Sequence, residues 1–174
     1  MADVIVNRVA KSGILTFNLE NFYPQSDIVT FDIKEYLYME LMLKEKDFRT
    51  SLKALDWTQY QDQHVAITCT TDAIVPIWAY MVVAKYLEHF AASMIFGDAE
   101  TLKTILFEKA LGNVDLEEYR DKRVVVKGCG EKPVPISAYV EITRLLKPVV
   151  KSLMYGEPCS TVPIHKQAVL RRKS

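Results

Sequence analysis

Apolar and polar residues follow two patterns along this chain, one typical of strands and one typical of helices. Near-continuous apolar runs at 64–69 and 123–128 predict strands that are buried on both faces. Apolar residues at i, i+3 and i+4 spacing predict helices between the strands. Pro76 and Pro135 suit the first turn of two of these helices, where a missing N–H costs nothing. The whole pattern predicts strands at 14–18, 29–31, 64–69, 92–96, 123–128, 151–155 and 160–164, and helices at 34–44, 45–54, 76–90, 99–112 and 135–147.

The same order of elements occurs twice, at a fixed offset of 59 residues. Residues 43–98 align without gaps on 102–157, with 16 identities over 56 positions. Average amino-acid usage would give only about three or four identities. Patterning explains matched apolar residues, but it does not explain matched Tyr, Asp, Pro and Gly. The alignment therefore predicts an internal duplication.

Each copy has the order helix, strand, helix, strand, and its strand–helix–strand part is a βαβ unit with parallel strands. We therefore predict an α/β fold, a pseudo-twofold tandem repeat of βαβ units with a mainly parallel sheet flanked by helices on both faces. Because 56 residues bury little core unaided, the two copies are expected to share one four-stranded core. The chain is then a single domain over 1–174, with an N-terminal segment 1–42, copies at 43–98 and 102–157, and a tail at 158–174.

Charge and hydropathy exclude two classes of partner. The 22 basic and 22 acidic residues cancel, so no overall field favours nucleic acid or an anionic membrane. The longest apolar runs are too short to span a bilayer, and the N-terminus lacks an export signal. We therefore expect a cytoplasmic protein with three reduced cysteines.

Candidate chemistry lies in the loops that leave the carboxyl ends of the predicted strands, because ligands bind there in open parallel sheets. These loops are 69–72, 129–132 and 156–161. Asp72 and Glu131 occupy matched positions in the first two loops, which makes them candidates for acid–base catalysis.

Cys129 and Cys159 carry the sharpest chemical hypothesis. Cys129 lies between two glycines and before a helix, where the positive end of the helix dipole favours a thiolate, and Cys159 follows a neighbouring strand. Together with His165 they would ligate a transition metal, zinc or iron. Free cysteines are also often small buried hydrophobes. The sequence leaves both interpretations open for these two, whereas Cys69 fits the buried one.

The chain lacks a P-loop, a GxSxG motif and an HExxH motif, which would have indicated specific enzyme classes. Tyr80 and Tyr139 match between the copies and fit core packing better than catalysis. Whether the protein is an enzyme is left open by its sequence.

Three stretches, RVVVKGC, PVPISAY and VKSLMYGEPCSTVPI, resemble a bacterial family of unknown function that is found mainly in Bacteroidota. The resemblance covers nearly the whole chain, although the family often has Tyr where this chain has His165. Members are encoded near Suf-type iron–sulfur assembly components. The resemblance therefore implies iron–sulfur assembly proteins as partners.

Three functions are compatible with these features. The first is an accessory factor in iron–sulfur or sulfur metabolism with a metal- or sulfur-handling site at Cys129 and Cys159. The alternatives are a non-enzymatic interaction module and an enzyme that acts on a small anion bound at helix N-termini. The helix at 76–90 is apolar nearly all round, so something should cover its outer face. We predict a homodimer through a face centred on Trp78 and Met81; the alternative is that the N-terminal segment 14–43 covers this face within the chain.

Overall fold

The structure is a computed structural model that describes residues 13–128, 130–157 and 160–168. Within these residues, helices and strands alternate and most strand pairs are parallel, which confirms the predicted α/β class. The helices are α1 (Glu45–Ala54), α2 (Ile77–Leu87), α3 (Ala99–Gly112) and α4 (Ile136–Leu146). The strands are β1 (Ile14–Asn18), β2 (Ile28–Asp32), β3 (His64–Thr68), β4 (Ser93–Phe96), β5 (Arg123–Lys127), β6 (Ser152–Glu157) and β7 (Ser160–Lys166).

The strands form two sheets, whereas the sequence predicted one shared core. The chain divides into two compact units: unit 1 is Met1–Tyr23 with Phe107–Ser174, and unit 2 is Pro24–Leu106. Unit 1 holds the sheet β1-β5-β6-β7 and unit 2 holds the sheet β2-β3-β4. Each sheet is packed against its own hydrophobic cluster. The N-terminal segment supplies one parallel strand to each sheet: β1 pairs with β5 and β2 pairs with β3. The predicted arrangement in one shared sheet did not include these two strands.

The segments that carry β1 and β2 have nearly the same sequence, ILTFN and IVTFD. The phenylalanine of each strand, Phe17 or Phe31, is 2% exposed and lies in the core of its unit. Each strand ends at a residue whose side chain caps a short 3-10 helix: Asn18 accepts from the Glu20 N–H, and Asp32 accepts from the Lys34 N–H. Asp32 is therefore an N-cap, and the helix that follows it, Ile33–Tyr36, is only one turn long.

The helix predicted over 34–44 was wrong. After Ile33–Tyr36 the chain makes a tight hairpin in which Tyr38 pairs with Met42. Its two central residues, Met39 and Glu40, have positive φ angles of 51° and 58°, as in a type I′ turn. The turn before the hairpin is held by aromatic packing, since the Tyr36 ring stacks on the Phe31 ring with centroids 5.4 Å apart. The helical spacing of apolar residues in 34–44 therefore does not produce a helix.

The two units share details of backbone geometry at the 59-residue offset. Asp62 and Asp121 both have positive φ, 58° and 57°, and their N–H groups donate to the carbonyls of Phe90 and Val149. Pro76 and Pro135 both lie at the N-cap rather than inside the helix. These correspondences follow from similar sequences folding in similar ways, unit by unit.

The helices bury a narrow apolar stripe against their sheets. Ala79, Val83 and Leu87 of α2 are 0% exposed, as are Ala138, Ile142 and Leu146 of α4. In α3 the buried residues are Leu102, Phe107 and Leu111, whereas Ile105 is 40% exposed. No helix in the described part of the chain is long and apolar enough to cross a membrane.

Candidate functional site

A pocket of about 630 Å³ lies in unit 1 at the carboxyl ends of β5 and β6. It is lined by residues of β5, of the loop from β5 to α4, of α4, of β6 and of β7. This is where the sequence predicted that ligands would bind, beyond the ends of parallel strands. The described residues that line it are Val126, Gly128, Gly130, Lys132, Pro133, Val134, Ile136, Tyr139, Thr143, Leu153, Met154, Tyr155 and Ile164.

The walls of this pocket are mainly apolar. Ile136 at the start of α4 is 82% exposed and Ile164 on β7 is 52% exposed, and both side chains border the pocket. Exposed aliphatic side chains around a concave surface are typical of sites that bury apolar ligand atoms.

Few polar side chains face the pocket. Among the described residues that line it, Lys132 is the one with a charged side chain, and its Nζ lies 5.6 Å from the centroid of the Tyr23 ring. Tyr139 and Tyr155 meet edge to face at 5.8 Å. Thr143 donates its hydroxyl to the carbonyl of Tyr139 at 2.7 Å. Among the described lining residues, the site thus offers one cation, Lys132, to a ligand.

The loop between β5 and α4 is packed tightly at its glycines. The N–H of Gly130 donates to the carboxylate of Glu20, which ties this loop to the 3-10 helix after β1. A Cβ at Gly128 would lie 2.7 Å from the Tyr139 hydroxyl oxygen and 3.1 Å from Cβ of Leu19. Glycine is therefore required at 128 because the phenol occupies the space of a side chain.

The two predicted site cysteines, Cys129 and Cys159, lie outside the described residues. The two chain neighbours of Cys129, Gly128 and Gly130, line the pocket. Glu131 is exposed in the same loop and does not line the pocket. The carboxylate of Glu157 lies 3.5 Å from the ammonium of Lys127.

The structure places His165 away from this loop. His165 pairs with Leu153 in the ladder between β6 and β7, and it borders a second cavity together with Arg123 and Lys151. That cavity lies at the amino end of β5, at the far end of β7 from Ser160. A metal site that joined His165 to the Cys129 loop would have to span the length of the strand. Among the described residues, no group of three or more His, Cys, Asp or Glu side chains could hold a metal ion.

Unit 2 fills the equivalent position differently. Cys69, which matches Gly128, is half-buried, and its thiol lies 3.7 Å from the carbonyl of Thr71. Asp32 accepts hydrogen bonds from the N–H and the hydroxyl of Thr70. Burial alone would raise the pKa of Asp32, but the hydrogen bonds from Thr70 and Lys34 outweigh it and lower the pKa. These contacts join β2 to the loop after β3, while Asp72 stays exposed.

The family described as "Protein of unknown function (DUF2480)" matches residues 3–167. The chain belongs to the DUF2480 family. Comparison with curated proteins and with solved structures finds no match. The resemblance to a family of unknown function is confirmed, while the bacterial origin and the iron–sulfur neighbourhood stay predictions.

Sequence reasoning missed several residues of the site in this DUF2480 chain. Glu20 was not expected to contact the loop after β5, and Ile164 was not expected to line a pocket. The partner of Glu20, the N–H of Gly130, is distant in the chain, so no local pattern in the sequence indicates this contact. Ile164 lies on β7, where a strand was predicted at 160–164, but the pairing partner of that strand could not be read from sequence.

Proposed function

We propose that this protein binds a small, largely apolar molecule with one acidic group in the pocket of unit 1. The single observation that carries the proposal is the pocket of about 630 Å³ at the carboxyl ends of β5 and β6. Its volume falls within the roughly 300–1,000 Å³ that is usual for small-molecule sites.

The lining residues support this ligand class. Aliphatic side chains such as Val134, Ile136 and Ile164 would cover the apolar part of a ligand. Lys132 would pair with an acidic group. Because most of the wall is apolar, burial would supply most of the affinity and Lys132 would orient the ligand.

The test compares decanoate with decan-1-ol, which share an apolar chain and differ in the acidic group. We expect calorimetric titration to show tighter binding of decanoate, and Lys132→Met should reduce its affinity about tenfold or more, as expected for a lost charge-assisted contact of ~1.5–3 kcal/mol. The affinity for decan-1-ol should change little. Equal binding of both compounds to wild type would contradict the role of Lys132.

A second variant tests the location of the site. Ile164→Trp should fill the pocket and abolish binding, since Ile164 borders it. Val162→Trp is the matched control, because Val162 is also exposed on β7, at 57%, and does not line the pocket. Retained binding in Ile164→Trp would place the ligand elsewhere.

A second candidate function concerns thiol chemistry. We propose that Cys129 reacts with or holds the cargo of an accessory step in iron–sulfur or sulfur metabolism, with Cys159 as its partner. The observation that favours it is that both chain neighbours of Cys129, Gly128 and Gly130, line the pocket. Bacterial origin, a cytoplasmic location and Suf-type partners belong to this proposal.

Alkylation of the native protein with a maleimide, followed by mass spectrometry of peptides, tests the thiol proposal. Cys129 and Cys159 should react faster than Cys69, and Cys129→Ser should remove any zinc or iron that copurifies. If both thiols resist the reagent in the folded protein, or if they react no faster than Cys69, the thiol function is wrong.

A further inference from the structure

Unit 2 presents a large apolar surface that no described part of the unit covers. Six side chains form it, three from the hairpin after β2 and three from the start of α2 and the residues before it. They are between 55% and 90% exposed: Met39, Leu41, Met42, Ile74, Ile77 and Met81. We call these six residues the unit 2 apolar surface.

Backbone pairing and helix spacing link the six residues. Met42 forms a backbone bridge with Ile74, and Met39 and Leu41 belong to the same hairpin as Met42. Ile77 follows Ile74 by three residues at the start of α2, and Met81 lies one helical turn further on the same face. With about 150–200 Å² for a large apolar side chain, their exposed fractions correspond to about 650–850 Å² of surface. The largest patch on a typical monomer is only about 300–600 Å².

The hairpin is also strained. Met39 and Glu40 hold φ angles of 51° and 58°, which non-glycine residues adopt at a cost in free energy. The same turn leaves the side chains of Met39 and Leu41 exposed, at 73% and 65%.

We propose that the unit 2 apolar surface is the self-association interface of this protein, and that its occupant is the same surface of a second copy. Three observations favour this occupant. The area matches the roughly 800 Å² per partner of a standard interface. The chain has zero net charge, so two copies do not repel each other. The ions beside the hairpin are already paired within the unit, with Lys34 3.7 Å from Glu40 and Lys44 over the Tyr38 ring.

This interface differs in its centre from the one that the sequence suggested. Trp78 is half-buried and packs edge to face on Phe48 at 6.0 Å, with the Arg49 guanidinium 5.3 Å from the centroid of its ring. Its side chain therefore belongs to the core of unit 2, and Trp78→Glu would damage folding as well as association. Ile77 and Met81 take its place at the interface. The surface lies in unit 2 and the ligand pocket in unit 1, so the two proposals stand separately.

The test is the solution mass by light scattering coupled to gel filtration, over about 1–100 μM protein. Wild type should elute at twice the chain mass of 19.9 kDa. Met81→Glu and Leu41→Glu should each raise the dimer dissociation constant at least 100-fold, because a two-fold interface contains every substitution twice. Leu41 lies outside the helices, so its variant keeps the test valid if Met81→Glu fails to fold.

Val140→Glu is the matched control. Val140 is the α4 residue that corresponds to Met81, and it is 66% exposed. This variant should leave the dimer intact, and circular dichroism should show native secondary structure for all three variants. A monomeric wild type at 100 μM would overturn the proposal, as would a folded Met81→Glu or Leu41→Glu variant that stays dimeric. Loss of the dimer in Val140→Glu would overturn it too.

Discussion

Substitution of Gly128 by alanine tests the packing that shapes the pocket. The added Cβ would lie 2.7 Å from the hydroxyl oxygen of Tyr139 and 3.1 Å from Cβ of Leu19. Contacts of carbon with oxygen below about 3 Å are strongly repulsive, so the phenol must move. Its ring is held edge to face against Tyr155 at 5.8 Å, which opposes that movement.

The expected cost is that of overpacking a tightly filled site, about 1–3 kcal/mol. With a urea m-value of about 2 kcal/mol per molar, a loss of ~2 kcal/mol lowers the unfolding midpoint by about 1 M. Removal of the hydroxyl should relieve most of the clash, because the nearest remaining atoms lie at 3.1 Å and 3.3 Å. Tyr139→Phe should therefore reduce the effect of Gly128→Ala to well below ~1 kcal/mol, which a double-mutant cycle measures directly.

The assay is urea unfolding followed by far-ultraviolet circular dichroism. Tryptophan fluorescence reads unit 2 separately, since Trp57 and Trp78 both lie there. Gly112→Ala is the control, because a Cβ at that helical position meets nothing within 4 Å. Equal midpoints for wild type and Gly128→Ala would refute the reasoning, and so would a loss of stability that Tyr139→Phe does not reduce.

Two further predictions concern the stability of the units. Hydrogen bonds from Thr70 and Lys34 outweigh burial and hold the pKa of Asp32 below its ordinary value. The ionised carboxylate therefore contributes stability above about pH 4, and this stability is lost as the pH falls. Asp32→Asn should flatten the fall of the urea midpoint between pH 7 and 3, and an equal fall in wild type and variant would contradict this prediction. Leu87→Ala and Leu146→Ala remove matched side chains that are fully buried. Each should lower the free energy of unfolding by about 2–5 kcal/mol, measured by thermal or urea unfolding. A loss below ~1 kcal/mol for either variant would show that the core is not packed as described.

The elements with strong local signals could be predicted from the sequence. The buried strands β3 and β5 are near-continuous apolar runs, and a proline marks the start of α2 and α4. Such signals depend only on residues that are close in the chain, so they can be recognised without knowing the fold. The pocket could be placed in outline for the same reason, since a loop after a parallel strand follows from the order of elements.

The pairing of strands could not be predicted, because it depends on contacts between distant residues. β1 and β2 have almost the same sequence, and nothing in either says that β1 pairs with β5 and β2 with β3. The helix predicted over 34–44 failed for a related reason, since the contact of Met42 with Ile74 is invisible in a local apolar pattern. Glu20 was missed because its partner, Gly130, is distant in the chain.

The differences between the two units indicate where their functions lie. Matched elements such as α2 and α4 bury matched residues, which explains how each unit folds but not what it does. Among the described residues, the elements without a counterpart in the other unit are β7 in unit 1 and the hairpin after β2 in unit 2. β7 supplies Ile164 to the pocket, and the hairpin supplies Met39 and Leu41 to the apolar surface. Each proposed site therefore combines the exposed start of a matched helix, α4 or α2, with an element that the other unit lacks among the described residues, β7 or the hairpin. On these proposals, such added elements let two units with similar folds bind different partners.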